Sequence, residues 1–338
     1  MAFKKGLKRV FNFMSLPIRQ DFVSKLLPGK TMVLYFHGVE KDLINSDIQI
    51  NHYPLAQFQE TILYVKKHFE ILSIDDFYDL YLSKKLPSKT ALITFDDGYK
   101  NNLINVAPFL NDFDVPFTIF VSTKHISTGE YFPTFFLRAL LNETKCSQLN
   151  LSFNGKSYSL YNASDRIDTG RQIAQIIKTA DQQIVQSITQ DLRKLFSDKA
   201  LVDIKRKYSS DAPMTWGELK AITKYGATIG SHCDDHMILH KNQSHREIDH
   251  QLKESKRQIE KNIGACKYFA FPNGKRNDYT SYAKKRLLDF GYLMGFSTEE
   301  ALVTHNSNPF TIPRLSPLTP RDVEFSYSRY ALRELFKT

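Results

Sequence analysis

The stretch Ala91-Leu-Ile-Thr-Phe-Asp-Asp-Gly-Tyr99 runs apolar residues straight into two adjacent carboxylates, Asp96 and Asp97, and then a glycine. Two carboxylates this close repel each other and resist burial unless a cation or a shared proton lies between them, so their pKa values are pushed apart. One is then able to bind a metal while the other works as a base; the plainer alternative is a solvated Asp-Asp-Gly turn. A second stretch, Gly230-Ser-His-Cys-Asp-Asp-His236, follows the apolar strand candidate Ala227, Thr228, Ile229 and carries His232 and His236. Two histidines with an aspartate form a common ligand set for a first-row divalent metal. A lone histidine is ordinarily a surface or satisfied core residue, but two at this spacing, in a chain that also has the Asp-Asp strand end, define a candidate metal site.

Together these stretches resemble the NodB-like polysaccharide deacetylases, carbohydrate esterase family four. The family's Thr-Phe-Asp-Asp-Gly motif stands intact at Thr94-Phe95-Asp96-Asp97-Gly98, and its Ser-His-x-x-x-His motif at Ser231 to His236. The resemblance runs from Val33-Leu-Tyr-Phe-His-Gly-Val39 to Phe269-Ala-Phe-Pro-Asn-Gly274 and covers most of residues 31 to 316 apart from a central insert. It implies a deformed (β/α) barrel and one divalent ion on Asp97, His232 and His236, zinc first, with cobalt or nickel as alternatives. It further implies Asp96 as the base, a backbone N–H at Asn273 for the oxyanion with Pro272 beside the substrate, and an N-acetylated glycan as the molecule bound.

Two departures from the family pattern bear on catalysis. Many members carry an Arg at the position of Ala270, where it orients the catalytic Asp, and an aromatic residue at that of Asn273. Without that Arg, Asp96 lacks its usual anchor. The late Leu-x-His strand that supplies the general acid is replaced by Thr311-Ile-Pro-Arg-Leu315. In the poly-N-acetylglucosamine deacetylases of the family that strand stands at the N-terminus, and Leu34-Tyr-Phe-His-Gly38 resembles it. His37 is therefore expected to be the acid, with His305 as the alternative.

The elements that must position these residues follow from periodicity. Thr31 to Phe36 reads as a buried strand, Tyr53 to Phe69 as a helix, Ile71 to Ile74 as a short strand, and Asp75 to Leu82 as a helix. Residues 90 to 95, Asn101 to Asn111 and Pro116 to Ser122 continue the βα rhythm, which implies α/β architecture with a parallel sheet closed as a barrel. From about 128 to 212 the rhythm breaks into a mostly helical insert, with a hairpin signal at Asn154-Gly155 and helical stretches at Ile173 to Lys178 and Gln182 to Phe196. Such a lobe either walls a cleft or is an ornament, and no residue in it carries chemistry by its type alone. The core resumes where Thr215 and Glu218 fit a capping box. Trp216, the only tryptophan, is a candidate for stacking on a sugar ring, packing being the alternative. Later strands are expected at Lys267 to Phe271 and Tyr292 to Ser297, and helices at Ser244 to Ile263, Tyr279 to Phe290 and Pro320 to Phe336.

At 338 residues, 42% hydrophobic and 24% charged, the chain has the composition of a soluble globular protein and no spanning run of apolar residues. Its net charge of +10 suggests an anionic neighbour, but no nucleic-acid-binding motif accompanies it, so nucleic acid is not expected. Residues 1–30 combine Lys4, Lys5, Lys8, Arg9 and Arg19 with apolar positions at helical spacing, suited to weak contact with an anionic membrane surface or to packing on the domain. Three unpaired cysteines and the lack of a secretory pattern point to the cytoplasm, on the inner membrane face; the extracellular side is the alternative, since many members of the family act outside the cell. The leading function is N-deacetylation of an amino sugar in a glycan or glycan precursor by the single domain 31–338. Hydrolysis of a non-sugar amide, or carbohydrate binding by a degenerate site, are the alternatives.

Overall fold

Residues 31–36, 90–95 and 117–121 are almost wholly buried, the signature of strands covered on both faces. In the computed structural model, which describes residues 29–317 and 319–335, they form the centre of a parallel sheet. The strands are β1 (Thr31–Phe36), β2 (Val39–Glu40), β3 (Tyr53–Pro54), β4 (Glu70–Ile71), β5 (Thr90–Phe95), β6 (Phe117–Val121), β7 (Gln148–Leu151), β8 (Lys156–Ser159), β9 (Ala227–Ser231), β10 (Tyr268–Ala270) and β11 (Met294–Phe296). Among the described residues the main sheet has seven strands in the order β1-β5-β6-β9-β10-β11, with β4 added beside β5. Of the basic segment expected at residues 1–30, residues 1–28 lie outside the described residues. Among the described residues no helix is long and apolar enough to cross a membrane.

The sheet curls until its two outer strands approach the segment 311–315, which bridges both. Ile312 pairs with Phe296 of β11, and Leu315 with Leu34 of β1, each as an isolated parallel bridge. Pro313 lies between them and has no N–H to extend a ladder, so the closure is two bridges rather than a strand. The barrel is α/β and deformed, as expected, and this seam is where the deformation lies.

Side chains alternate across the sheet with period two. Met32, Leu34, Ile93, Ile119 and Phe269 pack in one apolar cluster beneath the helices, whereas Val33, Leu92, Phe120, Tyr268, Phe296 and Ile312 form a separate cluster inside the curl. The interior is tight: a Cβ on Gly230 would lie 2.5 Å from the Phe120 ring and 3.0 Å from the Tyr268 carbonyl oxygen.

Local chemistry shortens two expected elements. Ser73 caps the helix Ile74–Leu82 by accepting from Asp76 N at 3.1 Å, so β4 ends at Ile71 rather than at Ile74. The helix expected over Asn101 to Asn111 opens as a π-turn, Asn102–Val106, and becomes α-helical only at Ala107–Asp112, where Pro108 lacks a donor. The capping box of Thr215 and Glu218 forms as expected and opens the helix Trp216–Thr223.

Between β6 and β9 lies the lobe. Helices Pro133–Glu143, Ala163–Thr179, Gln182–Arg193 and Asp198–Lys207 surround the β7–β8 hairpin, whose turn takes left-handed backbone at Gly155 (φ 67°). These elements bury a cluster of their own, including Phe135, Leu140, Ile173, Ile188 and Tyr208. Tyr99, immediately after the Asp-Asp-Gly turn, is part of that cluster and stands 5.4 Å from the Phe132 ring, so the lobe is seated on the motif itself.

Candidate metal centre

Strand alternation carried past the strand ends places the site. Val33 and Leu92 face the barrel interior, and the same parity brings His37 and Asp96 to the interior at the C-terminal edge of the sheet, where both line one cleft with Asp97, His232 and His236. Asp96 is held there by Arg314, which is fully buried: Nη1 donates to Oδ1 at 2.7 Å and Nη2 to Oδ2 at 2.8 Å. Nε of Arg314 donates to the Ser297 carbonyl at 2.9 Å, and the guanidinium lies 4.8 Å from the centre of the Tyr35 ring. Burial raises the pKa of Asp96, but the Arg314 charge and, after it, His232 outweigh that and leave it lowered. The anchor that Ala270 cannot supply thus comes from the closing segment, and the expectation of an unanchored Asp96 is corrected. The overlooked signal was the placement of Ile312 and Arg314 two residues apart in Thr311-Ile-Pro-Arg-Leu315, which gives the arginine the inward parity of the isoleucine.

The donor atoms of Asp97, His232 and His236 lie within 4.8 Å of one another. His236 Nε2 is 3.2 Å and His232 Nε2 3.7 Å from Asp97 Oδ1, a buried oxygen that accepts no hydrogen bond among the described residues. Nδ1 of His232 donates to the Ala270 carbonyl at 2.8 Å, which leaves its Nε2 lone pair aimed at that carboxylate. Burial pushes His232 down to about 4, so the ring is neutral at pH 7. A carboxylate oxygen facing the His232 lone pair is repulsive until a cation lies between them. Donor separations of 3.2 and 3.7 Å are those expected around an ion with bonds of about 2.1 Å, so the residues fit a divalent metal. Of the seven described non-glycine residues with positive φ, four are here: Asp97, Cys233, His236 and Asn273. Backbone strain is therefore concentrated at the site. Cys233 is buried with its thiol toward the Met237 carbonyl, and it is not in the donor group.

The remaining candidates separate clearly. His37 lines the cleft, and its loop is clamped by the π-turn: Asn102 Nδ2 donates to the His37 carbonyl at 2.9 Å and Asn105 Nδ2 to the Val39 carbonyl at 2.8 Å. Loss of hydration lowers the His37 pKa, with Asp97 and Asp96 opposing. His305 is exposed just after Val303, which pairs with Thr31 at the opposite end of β1, and is far from the chemistry. Asn273 lines the cleft, held by Nδ2 donating to Asp278 Oδ2 at 2.5 Å and by Thr298 Oγ1 donating to its carbonyl at 2.7 Å. Its N–H has no acceptor among the described residues. Pro272 is buried behind it and does not line the cleft.

Trp216 does not line the cleft either, which corrects the expectation of a stacking platform. Its indole Nε1 donates to Ser127 Oγ at 3.0 Å and its ring packs against the core. Trp216→Phe is accordingly expected to lower stability by about 1 kcal/mol, through the lost hydrogen bond, and to leave KM for a glycan substrate within about twofold. Urea denaturation and initial rates measure the two parts, and a KM rise of tenfold at unchanged stability would restore the stacking role.

The lobe proves to be a wall of the cleft rather than an ornament. The cleft, about 880 Å3, is lined by Phe132, Arg138, Asn142, Arg166 and Lys178 from that lobe, facing His37, Asn273 and Lys275 of the barrel. Gln182 Nε2 donates to Asp235 Oδ2 at 3.0 Å, next to His236, and Lys124 Nζ reaches the same oxygen at 2.6 Å. The lobe is in this way tied to the loop that carries a candidate ligand.

The chain belongs to the polysaccharide deacetylase family, whose model matches residues 83–292. That span contains Asp96, Asp97, His232, His236 and Asn273, whereas His37 and Arg314 lie outside it. The poly-beta-1,6-N-acetyl-D-glucosamine N-deacetylase of Staphylococcus aureus (strain MSSA476) is similar at 24% identity over 285 residues, covering 83% of this chain and 71% of that protein. Among solved structures, the Streptococcus pyogenes deacetylase PplD in complex with acetate matches with a TM-score of 0.57 at 15% identity, over 88% of this chain and 97% of that one. IcaB from Ammonifex degensii matches with the same score, identity and coverage. At such identities the structural likeness speaks for the fold.

Proposed function

We propose that this chain is a metal-dependent N-deacetylase that hydrolyses the acetamide of an N-acetylated amino sugar in a glycan or glycan precursor. The observation that carries the reading is the convergence of Asp97, His232 and His236 beside an arginine-anchored Asp96, with His37 and the Asn273 N–H facing the same cleft. A divalent ion bound by Asp97, His232 and His236 would polarise the acetamide carbonyl and acidify an attacking water. The mixed nitrogen and oxygen donor set suits zinc first, then cobalt or nickel.

The protein's own groups divide the remaining work. Asp96 takes the proton of the water; Arg314 occupies one lone pair on each oxygen, fixes the plane of the carboxylate, and leaves the other lone pairs open. The Asn273 N–H donates to the developing oxyanion from a loop pinned on both sides. His37 delivers a proton to the departing amine, and because burial keeps its ring neutral in the resting site, it has to gain that proton within the cycle. Carbohydrate binding by a degenerate site loses its motive, since it rested on an arginine missing at position 270 and Arg314 now holds Asp96. Acetate release from an N-acetylglucosamine oligomer, abolished by a chelator and restored by zinc, is the expected result. Release unchanged by exhaustive chelation would refute metal dependence, and no release from any N-acetylated sugar with metal bound would refute the reading as a whole.

A further inference from the structure

The cleft holds more positive charge than hydrolysis of a neutral acetamide requires. Of its lining carboxylates, Asp96 is paired with Arg314 and Asp235 with Lys124, while Asp97 belongs to the donor group. Asp47 alone remains. The cleft's cations are more numerous: Arg166 is spent on the Leu160 and Asn142 carbonyls and Arg171 is paired with Asp168, whereas Arg138 and Lys178 from two lobe helices and Lys275 from the barrel make no ion pair among the described residues. Arg138 is half-buried; its Nε donates to the Ile48 carbonyl at 3.0 Å, and loss of hydration holds it below the ordinary arginine range with Tyr99 and Asp97 opposing. Lys178 is held below the ordinary lysine range by loss of hydration and then by the charges of Lys275 and Arg138, with Asp278 opposing. Asp278 is already committed, accepting from Asn273 Nδ2 at 2.5 Å and from the Lys275 N–H at 2.8 Å.

Three cations gathered from three separated segments, repelling one another across a concave wall, are stabilised by an anion placed between them. Lys275 follows Asn273 by two residues, so that anion would lie close to the acetamide being cleaved. We propose, resting on the deacetylase reading, that the substrate is an amino sugar bearing an oxyanion, a phosphate ester or a carboxylate, and that Arg138, Lys178 and Lys275 recognise it. The same charge disfavours a sugar whose neighbours are already free amines, since these are cationic at neutral pH.

The test compares acetate release by the full, metal-loaded chain from three probes. These are a neutral N-acetylglucosamine disaccharide methyl glycoside, the same disaccharide carrying a phosphate monoester at its reducing end, and an oligosaccharide alternating N-acetylglucosamine with a uronic acid. The expected result is a kcat/KM about tenfold higher for one charged probe than for the neutral one, a preference that shrinks as salt is raised. Whichever charged probe is preferred identifies phosphate or carboxylate as the anion. In Lys178→Gln/Lys275→Gln the preference is expected to collapse toward one, and in the Lys178→Arg/Lys275→Arg pair to persist. Equal use of neutral and charged probes, or a preference untouched in the glutamine pair, would overturn the proposal while leaving the deacetylase reading in place. Binding of a charged probe that is lost in the glutamine pair, with no acetate released from any probe, would fault the deacetylase reading and uphold the anion site.

Discussion

Arg314→Met is expected to lower stability by about 3 to 5 kcal/mol, the cost of leaving one member of a buried ion pair without its partner. It is also expected to reduce turnover by at least about 100-fold, because Asp96 would lose both its charge and its orientation. With the guanidinium gone, burial is opposed only by the weaker pull of His232 and His37, and the folded-state pKa of Asp96 is expected to rise above its unfolded value. The sign of the pH dependence follows. In the parent, the depressed pKa contributes stability that is present above the unfolded value of about 3.9 and is lost as pH falls through the folded one. In the variant, the raised pKa imposes a penalty at neutral pH that disappears as pH falls below about 3.9. The stability gap is therefore widest at neutral pH and closes toward acid, which urea denaturation across that range measures. A second substitution separates the roles: Arg314→Met/Asp96→Leu should regain most of the stability, since no charge is left unpaired, and stay inactive. A gap independent of pH, or an active double variant, would show that the pair is not what organises this site.

The site was legible where its chemistry is local in sequence and obscure where it is not. Asp96 with Asp97, and His232 with His236, announce themselves because adjacent carboxylates and closely spaced histidines are costly without a cation. Arg314 did not, because it meets Asp96 from 218 residues away and only through the closing of the barrel. A two-bridge seam around Pro313 has too little periodicity to show which way its side chains point, so the sequence alone does not direct Arg314 toward Asp96. β1 and β5 were plain in the sequence as buried strands, but because both faces are covered the parity that carries His37 and Asp96 inward emerges only from the sheet. The lobe's secondary structure was partly visible through Asn154-Gly155 and the spacing of its apolar residues, but its contribution to the cleft was not. Arg138, Lys178 and Lys275 lie on separate elements and become a group only when the lobe packs on Tyr99. Trp216 misled for the opposite reason: its residue type suggested sugar stacking, and no single sequence reveals that its indole is spent on Ser127.

Metal binding and proton delivery can be separated by two histidine substitutions with different signatures. His232→Ala is expected to lose the ion, since His232 Nε2 is one of three donors and the Ala270 carbonyl has already fixed its tautomer. His37→Gln is expected to keep the ion, because His37 is not in the donor group, yet to lose roughly 100-fold or more in kcat, the scale of a proton-transfer group. The loss should depend on the leaving group. An amine departs poorly without a proton, whereas the aryloxide of an activated aryl acetate departs unaided, so His37→Gln should hydrolyse such an acetyl ester far closer to the parent rate. His305→Ala serves as the control, being exposed at the far end of β1, and should match the parent on both substrates. Elemental analysis together with amide and ester kinetics gives the full pattern. Equal losses on amide and ester in His37→Gln would make His37 a positioning residue rather than the acid, and an amide-selective loss in His305→Ala would return that role to His305.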